Sequence, residues 1–443
     1  MIRRMINPAL GGVVSHTRAA AARGLGPSLF MLAMIGCSDD SSTASGGGAS
    51  GGGGAGTGAV GGDGGGGGDG AGGSGAAAAG YFGLNDVSVL FPLPTSQGSP
   101  DVLRLDSEGN GGPLFAGERY GAIPEFQTPT AIDYATWIIV SVRIDPCFPD
   151  LRNLEEDPSL CRRQLRLVAQ PYAPSLDTQL LVAHDHALHL LYDFTADEFD
   201  DVMAAWTLAK PEGSSNPQEK LGVHPVLLEE GLAGPFGTTI RELILTFAGD
   251  ATLSQFTFMR GAGVVWDFGG FKVDGDGQVP IQIHDLQPAS DRVAFSITSE
   301  SEPFTVSPSS PEIDALLALA GEKVNDELVL TASFSEIKDA FQMSLDLENP
   351  TRFNPDTTDC ASCHFASRAR ERAVALGESP GGLENFDDPT FNLALGIPSE
   401  EQRNLLQQRG FGWNGTVPMF MQRTLNESAA VANTLNALIA AGP

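Results

Sequence analysis

Short apolar runs rich in β-branched and aromatic residues recur between Gly, Pro, Asn and Asp turn signals through the middle of the chain. They fall at 87–91, 137–144, 165–169, 187–194, 243–247, 256–258, 264–268, 279–283, 293–297 and 328–332. Runs of this length and composition predict β-strands. Gly261-Ala262-Gly263 between two of them predicts a hairpin. One helix interrupts the series. Thr195-Ala196-Asp197-Glu198 reads as a capping box, and Phe199, Val202, Met203 and Trp206 then share a helical face that ends before Pro211. Past residue 334 the apolar period becomes helical. Helices are expected over 335–344 and 366–376. Two more open at the capping boxes Ser399-Glu400-Glu401-Gln402 and Thr424-Leu425-Asn426-Glu427; the first runs through Gln408 to a stop at Gly410. Val431, Leu435 and Leu438 make the apolar stripe of the last helix. The pattern predicts a multi-domain chain: a β-rich, sandwich-like body over 81–334, with a subdomain boundary near 210–218, followed by a small all-α domain over 335–443.

The N-terminal segment has a different pattern. Arg3, Arg4, Arg18 and Arg23 precede an apolar run from Leu29 to Ile35, with no acidic residue before Cys37. A run this short cannot span a bilayer, so 1–36 reads as a signal peptide, with Met5 as an alternative start. Its Gly36-Cys37 ending resembles a bacterial lipobox, which implies lipidation at Cys37; Met34 stands where that motif prefers Leu. Residues 37–80 are dominated by Gly, Ser and Ala and cannot bury enough apolar surface to fold. As a flexible chain they reach roughly 35 Å, the length of a tether. A lipid-anchored protein of the cell envelope, facing the periplasm or the cell surface, is the expectation.

Charge narrows the choice of partners. The chain has 26 basic and 55 acidic residues, a net charge of −29, and removal of the signal arginines makes it more negative. This excludes nucleic acid as a main partner and favours a basic partner protein; a solvated acidic surface explains the same excess.

The strongest chemical signal is Cys360-Ala361-Ser362-Cys363-His364, a C-x-x-C-H run of the kind used for covalent haem attachment. Two thiols at this spacing can each form a thioether to one vinyl group of a single haem, and the adjacent imidazole can ligate the iron. A redox dithiol or a zinc site would use the same residues. The first is expected beside a βαβ pattern and the second with another close Cys pair, and the sequence has neither nearby. Cys147 and Cys161 flank a polar, Pro-containing loop and are expected to form a disulfide, as suits an exported protein. The five cysteines then divide into one lipidated, two in a disulfide and two bound to haem. His184, His186 and His189 form an H-x-H-x-x-H cluster, but in a strand His189 faces away from the other two, so a structural role is expected. Asp274-Gly275-Asp276-Gly277 lacks the spacing of a calcium loop and reads as a hairpin turn. No hydrolase elbow or nucleotide-binding glycine motif occurs outside the stem, and no catalytic residue is assigned.

With the motif in place, residues 335–443 resemble monohaem class I cytochrome c domains. The resemblance rests on Cys360, Cys363 and His364 and on the helix order around them. It implies one haem c, with His364 as proximal ligand and an axial methionine from the loop before the last helix. Met419, after Pro418, is preferred and Met421 is the alternative; a histidine of the β-rich region or an open iron is the other arrangement. The chain departs from the family in the long gap between the 335–344 helix and Cys360. Signal, stem and β-rich body together resemble large exported lipoproteins of myxobacteria. The expected function is electron transfer. The alternatives are a surface binding lipoprotein worked by its β-rich region and a peroxidase-like haem enzyme, the latter weakened by the single attachment motif.

Overall fold

The computed structural model describes residues 81–441 except 128–131, 176–177, 212–215, 263–264, 276, 282–291, 296–304, 308, 320–321, 325–326, 380 and 398–409. The expected signal, the stem, Cys37 and the helix at 399–408 lie outside the described residues.

The chain enters through a single helical turn, α1 (Leu84–Val87), that runs straight into strand β1 (Ser88–Leu90). A small hairpin, β2 (Glu108–Gly109) and β3 (Gly112–Pro113), and a short helix α2 (Gly117–Gly121) follow. Two long strands come next, β4 (Trp137–Phe148) and β5 (Arg162–Pro174), joined through α3 (Asn153–Glu156) and tied across that connection by the expected Cys147–Cys161 disulfide. Then come β6 (Leu181–Ala183), β7 (His186–Phe194) and the helices α4 (Ala196–Ala209), α5 (Pro225–Glu230) and α6 (Pro235–Phe247). Strands β8 (Leu253–Ala262), β9 (Val265–Asp274), β10 (Gly277–Pro280), β11 (Arg292–Phe295) and β12 (Thr305–Ser307) lead to α7 (Pro311–Leu317) and to a hairpin of β13 (Glu322–Val324) and β14 (Glu327–Val329). The C-terminal part contains α8 (Phe334–Glu348), α9 (Cys360–Ala375), a hairpin of β15 (Phe411–Asn414) and β16 (Val417–Phe420), and α10 (Gln422–Ala441).

Among the described residues one antiparallel sheet dominates, in the order β1-β4-β5-β7-β8-β9-β11-β12, with β6 on β5 and β10 on β9. Strand alternation gives this sheet two apolar faces. Leu165, Leu167, Leu188, Leu190, Tyr192 and Phe256 enter the larger core with Phe199, Val202 and Trp206 of α4 and Phe236, Ile240 and Ile244 of α6. Ala187, Met259, Trp266 and Phe268 join a second core with α7, α8 and α9 through Ile313, Phe341, Leu345 and Phe365. The fold is therefore mixed and only partly β-rich: the large antiparallel sheet agrees with expectation, but among the described residues helices, and not a second large sheet, cover it. The segment near 210–218 connects α4 to α5, whose buried side chains share one core.

Three further expectations are corrected. The 243–247 run is the end of α6, not a strand. Pro235 opens the helix at a position where its missing N–H is harmless, and Phe236, Ile240, Leu243 and Ile244 are buried at helical spacing. The region after 334 is not all-α, because β15 and β16 form a hairpin there. The last helix starts at Gln422, whose N–H donates to Ser367 Oγ at 3.1 Å. Thr424 Oγ1 donates to Gly410 O at 2.6 Å, and Glu427 pairs with arginines, so neither acts as a cap. Leu438 of the expected stripe is half exposed.

Candidate functional site

The C-x-x-C-H run forms the first turns of α9, so the helix expected over 366–376 begins at the motif itself. Asp359 is the N-cap: its carboxylate accepts the Ser362 N–H at 2.8 Å, the Ser310 hydroxyl at 2.9 Å and the Ser362 hydroxyl. A helix brings positions i, i+3 and i+4 to one face. Cys360, Cys363 and His364 consequently line one cavity of about 230 Å³ between α9 and the sheet. The opposite wall comes from one face of four neighbouring strands: Arg166 and Val168 of β5, His189 and Leu191 of β7, Thr257 and Met259 of β8, and Phe268 of β9.

Two imidazoles meet in this space. The His364 ring lies 5.1 Å from the Phe268 ring centre and 6.4 Å from that of His189, and the two imidazole planes are only 17° apart. His189 Nδ1 is 3.4 Å from Thr257 Oγ1, its cross-strand neighbour. Burial, followed by the nearby His364 and Arg166, pulls the His189 imidazolium down to about 3, so the ring is neutral at ordinary pH. Burial pushes the Cys363 thiol up to about 12, against the opposing pull of Arg423. It is thus a neutral thiol, unlike the low-pKa cysteines of dithiol oxidoreductases. Among the described residues no group of three or more His, Cys, Asp or Glu side chains is arranged to hold a metal ion on protein ligands alone.

Charge borders the cavity on one side. Arg143 pairs with Glu427 and Asp145, Arg166 pairs with Asp145, and Arg423 Nε lies 2.6 Å from Glu427 Oε1. Burial alone would raise the Glu427 carboxyl, but Arg143, Arg423 and Arg166 outweigh it and hold the group well below the usual range. With Asp359 on the same cavity, three guanidinium groups stand against three carboxylates, and among the described residues Nε of both Arg143 and Arg166 is buried without a hydrogen-bond partner. Arg143, Arg166, Arg423 and Glu427 also line a neighbouring hollow of about 650 Å³.

The donor set fits a haem. Two thiols and an imidazole share one face, and the surroundings are largely apolar. The enclosed volume is below the ~300–1,000 Å³ usual for ligand sites, so a macrocycle would also occupy the open side of the cleft.

The two expected methionines are separated. Met419 lies in β16, fully buried in the larger core, and does not line the cavity. Met421 sits where β16 turns into α10 and does line it; its methyl and His364 Cε1 both approach Gly410, 3.5 and 3.7 Å from where a Cβ would stand. His186 Nδ1 accepts the Gly261 N–H at 3.0 Å, one strand position out of phase with His189, so the histidine cluster does not converge on one point. Asp274 pairs with Gly277 at the β9–β10 turn, where Gly275 takes φ +57°, as the hairpin reading expects. The sequence assigns His189 a structural role, with a histidine of the β-rich region as an alternative ligand; strand parity sets it apart from His184 and His186, whereas nothing local marks Arg143, Arg166, Arg423 and Glu427 as cavity residues. No family model matches the sequence, and no curated protein or solved structure matches the chain.

Proposed function

We propose that this protein carries one covalent c-type haem, bound through Cys360 and Cys363 with His364 as an iron ligand, and serves as an electron-transfer protein of the cell envelope. The observation that carries the reading is the convergence of both thiols and the His364 imidazole on one apolar cavity bordered by buried arginines. The resemblance of the C-x-x-C-H run to cytochrome c attachment motifs supplies the chemistry: bound haem iron cycles by one electron. Around it the chain's residues have separate tasks. The Asp359 cap fixes the first turn of α9, Phe268 packs on His364, and the sheet face excludes water. Lipidation at Cys37 and a basic partner docking on the acidic surface belong to the same proposal.

The test is production of the chain in a bacterial periplasm equipped with haem-attachment machinery. Haem staining that survives denaturing electrophoresis, and is lost in the Cys360→Ala/Cys363→Ala double variant, is the expected result. A folded, exported protein without bound haem refutes it.

A further inference from the structure

We infer that His189 is the second axial ligand, so that the haem iron is held between two imidazoles, one from the helix and one from the sheet; this rests on the covalent-haem reading. The two ring centres stand 6.4 Å apart in the cavity, with planes 17° apart. Metal–nitrogen bonds to imidazole are about 2.0–2.1 Å, so two ligating nitrogens stand roughly 4 Å apart, which matches rings spaced like these with one ion between them. His189 is also held the way metal-bound imidazoles usually are, with a second partner fixing the ring. Thr257 Oγ1 approaches Nδ1 at 3.4 Å and leaves Nε2 as the ligating atom. The ring comes from the centre of a paired strand, with Val168 on one side and Thr257 on the other, so its direction is set by the sheet.

Met421 is the competing ligand. It lies at the strand-to-helix junction and, like His364, approaches Gly410, so experiment must separate it from His189. Two protein ligands leave no open coordination position. The structure therefore favours electron transfer over peroxide chemistry, and a reduction potential below that of a His–Met haem.

The experiment uses the full exported chain with its haem attached. The wild type is expected to give a six-coordinate low-spin ferric spectrum without the weak near-infrared band of sulfur ligation. Met421→Leu should leave that spectrum unchanged. His189→Ala should convert it to high spin, and added free imidazole should restore low spin, a rescue that a merely structural role would not show. His189→Met should raise the potential. A sulfur band in the wild type that disappears in Met421→Leu overturns the assignment, as does a low-spin His189→Ala protein without added imidazole. Because the wild-type spectrum alone separates the two ligand sets, a poorly folding variant does not protect the inference. Haem staining after denaturation is recorded for every sample: stain present with the wrong spectrum refutes His189, whereas stain absent from the wild type refutes covalent haem itself.

Discussion

Replacing Glu427 by glutamine tests the ionic wall directly. The carboxylate is nearly buried and serves two guanidinium groups, Arg143 and Arg423, the latter at 2.6 Å. The amide keeps the shape and removes the charge, leaving the arginines partly uncompensated. Breaking a buried pair by removing one partner costs about 3–5 kcal/mol. Residual partners place this site at the low end. Arg143 keeps Asp145 at 3.6 Å, and Arg423 still donates to Leu347 O at 3.0 Å and Asn349 O at 3.1 Å. With an unfolding entropy of about 2.1 cal/mol/K per residue over about 360 residues, ~3 kcal/mol corresponds to a fall in Tm of roughly 4 °C. The assay is calorimetry of wild type and E427Q at pH 7, with E427Q/R143M as the compensating double variant, which should recover part of the loss. An E427Q protein with an unchanged Tm would refute the claim that this network is desolvated and charge-balanced.

Two further outcomes follow from the same structure. Stability should fall in acid. The folded-state value of Glu427 is depressed, so its contribution is fully present above the ordinary glutamate value of about 4.3 and is lost as pH drops through the lower folded-state value; Asp150, held down first by its hydrogen bonds to Arg152, adds to the same slope. Denaturant titrations between pH 3 and 7 should show this slope, shallower in E427Q, and an equal slope in both proteins would refute the assignment. Cys147→Ser/Cys161→Ser opens a bridge between residues 14 positions apart, which should remove about 3 kcal/mol, read as a lower denaturant midpoint. An unchanged midpoint refutes that figure.

The elements legible in the sequence were those whose signal is local. The β4, β5 and β7 runs, the α4 capping box and the C-x-x-C-H spacing each state their geometry within a few residues. Runs that satisfy two periods at once mislead. The 243–247 segment is as apolar as a strand, and only Phe236 and Ile240, a turn or two earlier, reveal the helical face. Placement of the methionines depended on where a strand ends. Pro418 and Met419 stay in β16, and the change of direction that brings Met421 to the cavity occurs after Phe420. His189 was hidden for another reason. Strand parity says which face it occupies, but no local pattern says that α9, far along the chain, will lie on that face.

The last helix has a consequence for how the chain matures. α10 supplies Arg423, Thr424 and Glu427 to the cavity wall, and its far end exchanges two hydrogen bonds with the start of the fold: Phe82 N–H donates to Asn436 Oδ1 at 2.7 Å, and Asn436 Nδ2 donates to Phe82 O at 3.0 Å. Ser88 and Ser428 meet 2.7 Å apart on the same seam. These contacts join the two ends of the described chain across 340 to 354 positions, and contacts of such separation slow folding. A nascent chain lacking its final twenty or so residues has a sheet but no finished pocket. The cavity wall that carries Arg423, Thr424 and Glu427 is thus completed by the same helix whose far end closes these long-range contacts.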